Sequence, residues 1–388
     1  MPLNRRKFIL NHAALATALL PLGAKVRAKA VYASGLSEVF KDDFFLGTAI
    51  SNKTLSGSDP AMFKLIAQEF NTITAENAMK WQSIHPDHER WDWRLADRFV
   101  KFGHEANMLM IGHTLIWHKQ TPPTVFFKSR KKQDALISRD LLLKRLRLHV
   151  QTVIDRYKRQ IALWDVVNEA VTDKGRWRES HWHDIMGEEF LEQAFRAARE
   201  ADPSAHLMYN DFNMEKRQKQ RFIIHILNIL RKRGVTVDGV GLQCHVSLAA
   251  NAPSIDALEA AIINFAKAGL RVHITELDVD VLPNAWKYKG LHIDDLPIDS
   301  DPLDPYKNGL PARIEQQLAE RYQALFELFI KHRDKIARVS LWGTSDDESW
   351  KNDRPVIGRT NHPLLFDTQK RSKKAYDAIY KLKDKRAP

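Results

Sequence analysis

Trp164-Asp-Val-Val-Asn-Glu-Ala170 is a short apolar run that turns polar at its end. A run this short, with paired β-branched valines, reads as a strand buried on both faces of a parallel sheet. The strand is expected over Ile161–Asn168, with helical Asp140–Lys158 before it and helical Glu188–Ala201 after it. Working outward, the same alternation recurs. Strands are expected at Phe44–Ile50, Asn71–Ala75, Met108–Trp117, His206–Asp211, Val237–His245, Arg271–Val279 and Ala337–Thr344. The other helices are expected at Pro60–Phe70, Arg94–Ala106, Glu215–Arg233, Ser254–Ala268, Pro311–His332 and Ser372–Leu382. Their apolar residues recur every three or four positions, as in Phe222, Ile223, Leu227 and Leu230. Strand and helix pairs in this number and order predict a (β/α)8 TIM barrel of the α/β class. A doubly wound sheet with extra units is the competing architecture. The barrel is preferred because it gathers every strand's C-terminal end around one mouth, and the distinctive polar residues fall at those ends.

Composition sets the frame. The chain has 388 residues, 44% hydrophobic and 28% charged, enough for one large core. Half of the net charge of +12 comes from Arg5, Arg6, Lys7, Lys25, Arg27 and Lys29, in a stretch without acids. The remaining basic residues are scattered among acids, apart from Lys128–Lys132 and the C-terminal tail, so a nucleic-acid surface is not expected. The single cysteine, Cys244, excludes an intrachain disulfide and reads as a small buried side chain. Residues 1–30 read as an export signal: basic Asn4-Arg-Arg-Lys-Phe-Ile-Leu10, the apolar stretch Ala13–Leu22, then Ala28-Lys-Ala30 as a cleavage site. The paired arginines favour the twin-arginine route over the Sec route. Residues 31–388 are then one catalytic domain, periplasmic or secreted. No later stretch has the length and apolarity of a membrane span.

The mouth of the expected barrel collects a constellation. The second strand leads to Glu76, Asn77 and Lys80, and the third ends in His113 and Trp117. The fourth gives Asn168 and Glu169, and the fifth ends in Tyr209-Asn-Asp-Phe-Asn213. The sixth ends in Gln243 and His245, the seventh carries Glu276 and Asp278, and the eighth is followed by Trp342 and Trp350. Two carboxylates at strand ends suit cleavage of a glycosidic bond. One protonates the leaving oxygen and the other attacks the anomeric carbon. Amides and carboxylates bind sugar hydroxyls, and indoles stack on pyranose faces. Two surface glutamates that merely follow strands would lack this company. Asp278 lies two residues beyond Glu276 on one strand, so both point to the same face, and His245 is expected to bond Glu276 with Asp278 orienting its ring. There is no Gly-rich phosphate loop and no His-Glu-x-x-His cluster, so no cofactor or metal is expected at this site. His85, His88, His104 and His118 are read as surface or structural.

These segments resemble family 10 glycoside hydrolases, the (β/α)8 endo-β-1,4-xylanases, from about Phe45 to Ala378. The resemblance implies that Glu169 is the acid/base, through Trp164-Asp-Val-Val-Asn-Glu, and Glu276 the nucleophile, through Ile274-Thr-Glu-Leu-Asp278. The residues themselves give Asn168, His245 and Asp278 supporting roles: Asn168 is expected to donate to the sugar 2-hydroxyl, and His245, oriented by Asp278, to bond Glu276. The resemblance puts the donor-side sugar-binding positions on Glu76, Asn77, Lys80, His113, Trp117, Asn168, Gln243, His245, Trp342 and Trp350. Ala75, Ala78 and Cys244 depart mildly from the family pattern. The segment after Pro122-Pro-Thr124 lacks a tryptophan common there, and Lys128–Lys132 is unusual. The expected activity is retaining endo-hydrolysis of xylan by a monomer. A non-catalytic xylan-binding barrel and a hydrolase of another β-glycan are the alternatives. The long stretch Leu282–Leu310 is expected to rise over the mouth. Its acids Asp294, Asp295, Asp299, Asp301 and Asp304 read as a solvated acidic loop, with a calcium site as the rival reading.

Overall fold

The computed structural model describes residues 34–57, 59–128, 135–296 and 302–382. The export segment, Arg130–Lys132, Asp299 and Asp301 lie outside these residues. The strands of the barrel are β1 Phe45–Ile50, β2 Thr72–Ala75, β3 Leu109–Trp117, β4 Leu163–Asn168, β5 His206–Asp211, β6 Gly239–Leu242, β7 Arg271–Asp280 and β8 Ile336–Leu341. Each pairs in parallel with the next, and β8 pairs with β1 through Phe45 and Arg338, closing the barrel. Helices wrap the outside. Their entries follow ordinary capping chemistry: the hydroxyls of Ser138 and Ser254 accept from the backbone N–H of Leu141 and Ala257. Leu258, Ala261, Ile262 and Phe265 form the buried stripe of helix Ile255–Lys267. Among the described residues no helix is long and apolar enough to cross a membrane.

Three details depart from the sequence reading. The sixth strand does not run unbroken from Val237 to His245. β6 stops at Leu242, and a short strand His245–Ser247 pairs with Asp278–Asp280. Between them Cys244 takes a left-handed backbone, φ +57°, a break that no glycine or proline announces. Second, Glu276 is not at the end of its strand, because β7 continues to Asp280. It sits where the register with β8 shifts between Ile274 and Leu277, and an irregularity of this kind re-aims a side chain. Third, β8 ends at Leu341 rather than Thr344. Trp342 N–H still donates to Leu277 O at 3.0 Å, and Gly343, at φ +130°, turns the chain away.

The barrel interior is unusually polar near the mouth. Barrel interiors are ordinarily filled by branched apolar side chains, and here Ile111, Leu163 and Met208 form such a cluster. Asn210, Thr275, Thr74, Ser340 and Arg338 are also buried, joined by hydrogen bonds from Thr275 to Asn210 and from Arg338 to Thr74 and Ser340. Space for Asn210 comes from Gly241, where an added Cβ would stand 2.1 Å from Asn210 Oδ1.

The stretch after β7 is docked along the segment that follows Trp350. Gly290 N–H donates to Pro355 O at 2.8 Å, and Ile293 N–H to Ile357 O at 3.1 Å. Ala285, Ile293, Leu296 and Val356 form its own small core. Asp304 is not a solvated acid. It is buried and accepts from Thr360 N–H at 2.8 Å. Asp295 helps cap the turn at His292. Among the described residues no group of three or more His, Cys, Asp or Glu side chains is arranged to hold a metal ion.

Candidate active site

Asn168 closes β4, and Glu169 follows it with a left-handed backbone, φ +57°. Few non-glycine residues take this conformation. Glu169 is fixed in it by Asn210 O, which accepts its N–H at 2.9 Å, and by Arg178, whose Nε donates to its carbonyl at 2.7 Å. Its side chain is buried, and Gln243 Nε2 donates to Oε1 at 3.3 Å. Glu276 is also buried. Its Oε1 accepts from Asn210 Nδ2 at 2.7 Å, and its Oε2 lies 3.1 Å from His245 Nε2.

The two glutamates are joined by one amide network. Asn168 Oδ1 accepts from Asn210 Nδ2 at 3.0 Å and from Gln243 Nε2 at 3.2 Å. With its oxygen engaged twice, Asn168 has its own amide N–H groups left for a ligand hydroxyl. Beneath Glu169, Tyr209 donates to Asp211 at 2.6 Å, and Ala170 N–H donates to the Tyr209 oxygen at 3.1 Å. Asp211 also receives Lys219 at 2.7 Å. Burial pushes the Asp211 carboxyl up to about 6, even with Lys219 opposing that shift.

Behind Glu276 sits a charged stack. His245 Nδ1 lies 3.0 Å from Asp278 Oδ2, which also accepts from Trp350 Nε1 at 2.8 Å. Lys351 Nζ approaches Asp278 Oδ1 at 3.4 Å. Burial alone would lower the pKa of His245. The flanking carboxylates of Asp278 and Glu276 overcome this and raise it to about 9. The imidazole is therefore a cation at neutral pH, braced against Glu276. Trp342 packs edge-on to both His113 and His245. His113 Nδ1 donates to Asp165 Oδ2 at 2.9 Å.

The third group comes from the loop after β2. Lys80 Nζ donates to Asn77 Oδ1 at 2.9 Å and to Gln120 Oε1 at 3.0 Å, and lies 4.8 Å from the Trp117 ring. Burial lowers the Lys80 pKa against the pull of Glu76, Glu276 and Glu169. Burial raises that of Glu76, with Lys80 opposing. These pulls tie Lys80 electrically to Glu76 and to the two central glutamates. The candidate catalytic and sugar-binding residues thus come together at one mouth. Asn210, Arg178, Lys351 and Arg338 were not singled out. Only Asn210 had a signal, as part of the polar end of the fifth strand. His85, read as surface or structural, is buried and stacks on Trp91, with ring centroids 3.7 Å apart.

A closed (β/α)8 barrel with paired carboxylates at its mouth is a glycoside hydrolase scaffold. The chain belongs to glycosyl hydrolase family 10, whose family model matches residues 35–382. It is 39% identical over 347 residues to an endo-1,4-beta-xylanase of Geobacillus stearothermophilus, covering 88% of this chain and 96% of that one. It is 36% identical to endo-1,4-beta-xylanase A of Xylanibacter ruminicola, covering 96% and 99%. Among solved structures, a GH10 endoxylanase from a sugarcane soil metagenome superposes with a TM-score of 0.83 at 45% identity. That match covers 90% of this chain and 99% of the other.

Proposed function

We propose that this chain hydrolyses internal β-1,4 linkages of xylan by a retaining double displacement. The observation that carries the reading is the single amide network linking Glu169 and Glu276 through Gln243, Asn168 and Asn210. Glu169 gives its proton to the leaving glycosidic oxygen. The Glu276 carboxylate attacks the anomeric carbon, forming a glycosyl–enzyme ester as the leaving sugar departs. Glu169, now a carboxylate, takes a proton from water, and that water displaces Glu276 to restore the original configuration. His245 and Asn210 hold the nucleophile in place. Asn168 donates to the sugar 2-hydroxyl, a bond that strengthens in the transition state. Glu76, Asn77, Lys80, His113, Trp117, Gln243, Trp342 and Trp350 hold the xylose units. A non-catalytic xylan-binding role would not need a proton donor and a nucleophile held in one network. The test is cleavage of unsubstituted xylohexaose followed by proton NMR. A β-configured first product is expected. No cleavage, or an α-configured first product, would overturn the reading.

Action as a monomer is part of the same proposal. Export to the periplasm is the second part of the proposal. It rests on Asn4-Arg-Arg-Lys-Phe-Ile-Leu10 ahead of the apolar stretch. Arg5→Lys with Arg6→Lys should leave active enzyme in the cytoplasm. Unchanged periplasmic activity would point to the Sec route instead.

A further inference from the structure

Resting on the xylanase reading, we infer that Lys351 is a positioning residue for the nucleophile. Its buried ammonium holds Asp278 so that the His245 cation stays turned to Glu276, which keeps Glu276 ionised.

Lys351 lies in the short turn Trp350–Asn352, after β8. The turn is pinned by Ser349, whose Oγ accepts from Lys351 N–H at 3.3 Å, and by Asn352, whose Nδ2 donates to Asp346 O at 2.8 Å. The lysine is buried, a state that lysine almost never adopts without a partner. Its Nζ stands 3.4 Å from Asp278 Oδ1, 3.6 Å from Asp280 Oδ2 and 4.8 Å from the centroid of the Trp350 ring. Burial alone would lower the Lys351 pKa. Asp278 and Asp280 overcome this and raise it, so the group is an ammonium.

Asp278 is wholly buried and divides its two oxygens. Oδ2 meets His245 Nδ1 at 3.0 Å and accepts from Trp350 Nε1 at 2.8 Å. Oδ1 accepts no hydrogen bond among the described residues, so the charge that faces it is that of Lys351. The line Glu276, His245, Asp278, Lys351, Asp280 therefore alternates in sign. Without Lys351, three carboxylates would share one imidazolium. The imidazolium would lean towards Asp278, and Glu276 would lose part of its support. Buried carboxylates that have lost a cation hold a proton more tightly.

Other groups also face this line. Lys80 and Arg338 act on Glu276, and Arg359 acts on Asp280. Glu169 faces Glu276 through the amide network. Tyr322 and Cys244 feel the Asp278 charge, and burial raises the pKa of both, so they stay neutral. None of these groups changes in the variants below.

The experiment is the pH dependence of kcat/KM on para-nitrophenyl β-xylobioside. Its leaving group departs with little help from Glu169, so the acidic limb reports ionisation around the nucleophile. In Lys351→Met that limb should move to higher pH by about half a unit or more, because a positive charge has gone. In Lys351→Arg it should stay at the wild-type position. Asp280→Asn removes a negative charge and should move the limb to lower pH. A side chain that only fills space would lower kcat/KM equally at every pH and leave the limb in place. An acidic limb unmoved in Lys351→Met overturns the inference. Should Lys351→Met fail to fold, Asp280→Asn decides: a downward shift supports the inference and a fixed limb overturns it. A wild type that cleaves the substrate, with coincident limbs in the variants, sinks this inference alone. A wild type that cleaves neither this substrate nor xylohexaose sinks the xylanase reading and this inference together.

Discussion

Asn210 Nδ2 lies 2.7 Å from Glu276 Oε1 and 3.0 Å from Asn168 Oδ1, so one amide group orients both a carboxylate and the residue beside Glu169. Asn210 is wholly buried, and its Oδ1 is held by Thr275 at 2.7 Å. A side chain fixed at both ends positions its partners without paying entropy during the reaction.

Asn210→Ala should therefore lower kcat/KM on xylan by roughly 100-fold, on the scale of a lost preorganised donor. Stability should fall by about 1–3 kcal/mol, because Asn168, Thr275 and Glu276 each lose a buried partner. Steady-state kinetics and thermal unfolding check the two effects separately. A double-mutant cycle with Asn168→Ala should show coupling above about 0.5 kcal/mol.

Glu276→Ala should abolish turnover of xylan and aryl xylosides. Added azide should restore part of the activity by occupying the vacated space and should yield the inverted glycosyl azide. Near wild-type turnover without azide would remove Glu276 from the mechanism.

Glu169→Ala should affect poor leaving groups most, since they depend on the proton. Activated phenol substrates should keep a fast first step and accumulate the glycosyl-enzyme, seen by mass spectrometry of the quenched protein. Equal losses on both substrate types would count against the acid/base role.

His245 gives a pH prediction for stability. Its folded pKa of about 9 exceeds the ordinary value of 6.5. Protonation therefore favours the folded state. The stabilisation is complete below about pH 6.5 and fades as pH rises through about 9. His245→Asn removes that dependence, so the wild-type advantage in Tm over the variant should shrink between these two values. An advantage constant across the window would show that the ring is not a cation.

The barrel and its polar mouth were legible because strand-length apolar runs ended in carboxylates, amides and indoles at regular intervals. Glu169 and Asn168 stood out for that reason. Asn210 did not, since an asparagine within Tyr209-Asn-Asp-Phe-Asn213 cannot be assigned a direction until Gly241 is known to stand opposite and leave it room. The interruption at Gln243 and Cys244 was equally hidden. Its cause is a backbone torsion at a residue that usually avoids it, and composition carries no mark of that. Arg178 acts through backbone carbonyls, a role that any nearby cation in the sequence could have claimed. Asp304 read as solvated because burial of a loop acid depends on where Thr360 lies, 56 positions away.

The left-handed torsion at Glu169 sets activity against thermal robustness. A glycine would adopt φ +57° without the steric penalty of a Cβ, which is of order 1 kcal/mol or more for an ordinary residue. Elsewhere glycine is the weaker choice beside alanine. At this position the order should invert, with Glu169→Gly melting above Glu169→Ala although neither turns over xylan. Selection for heat resistance alone would then pull this codon away from the glutamate that the proposed chemistry requires.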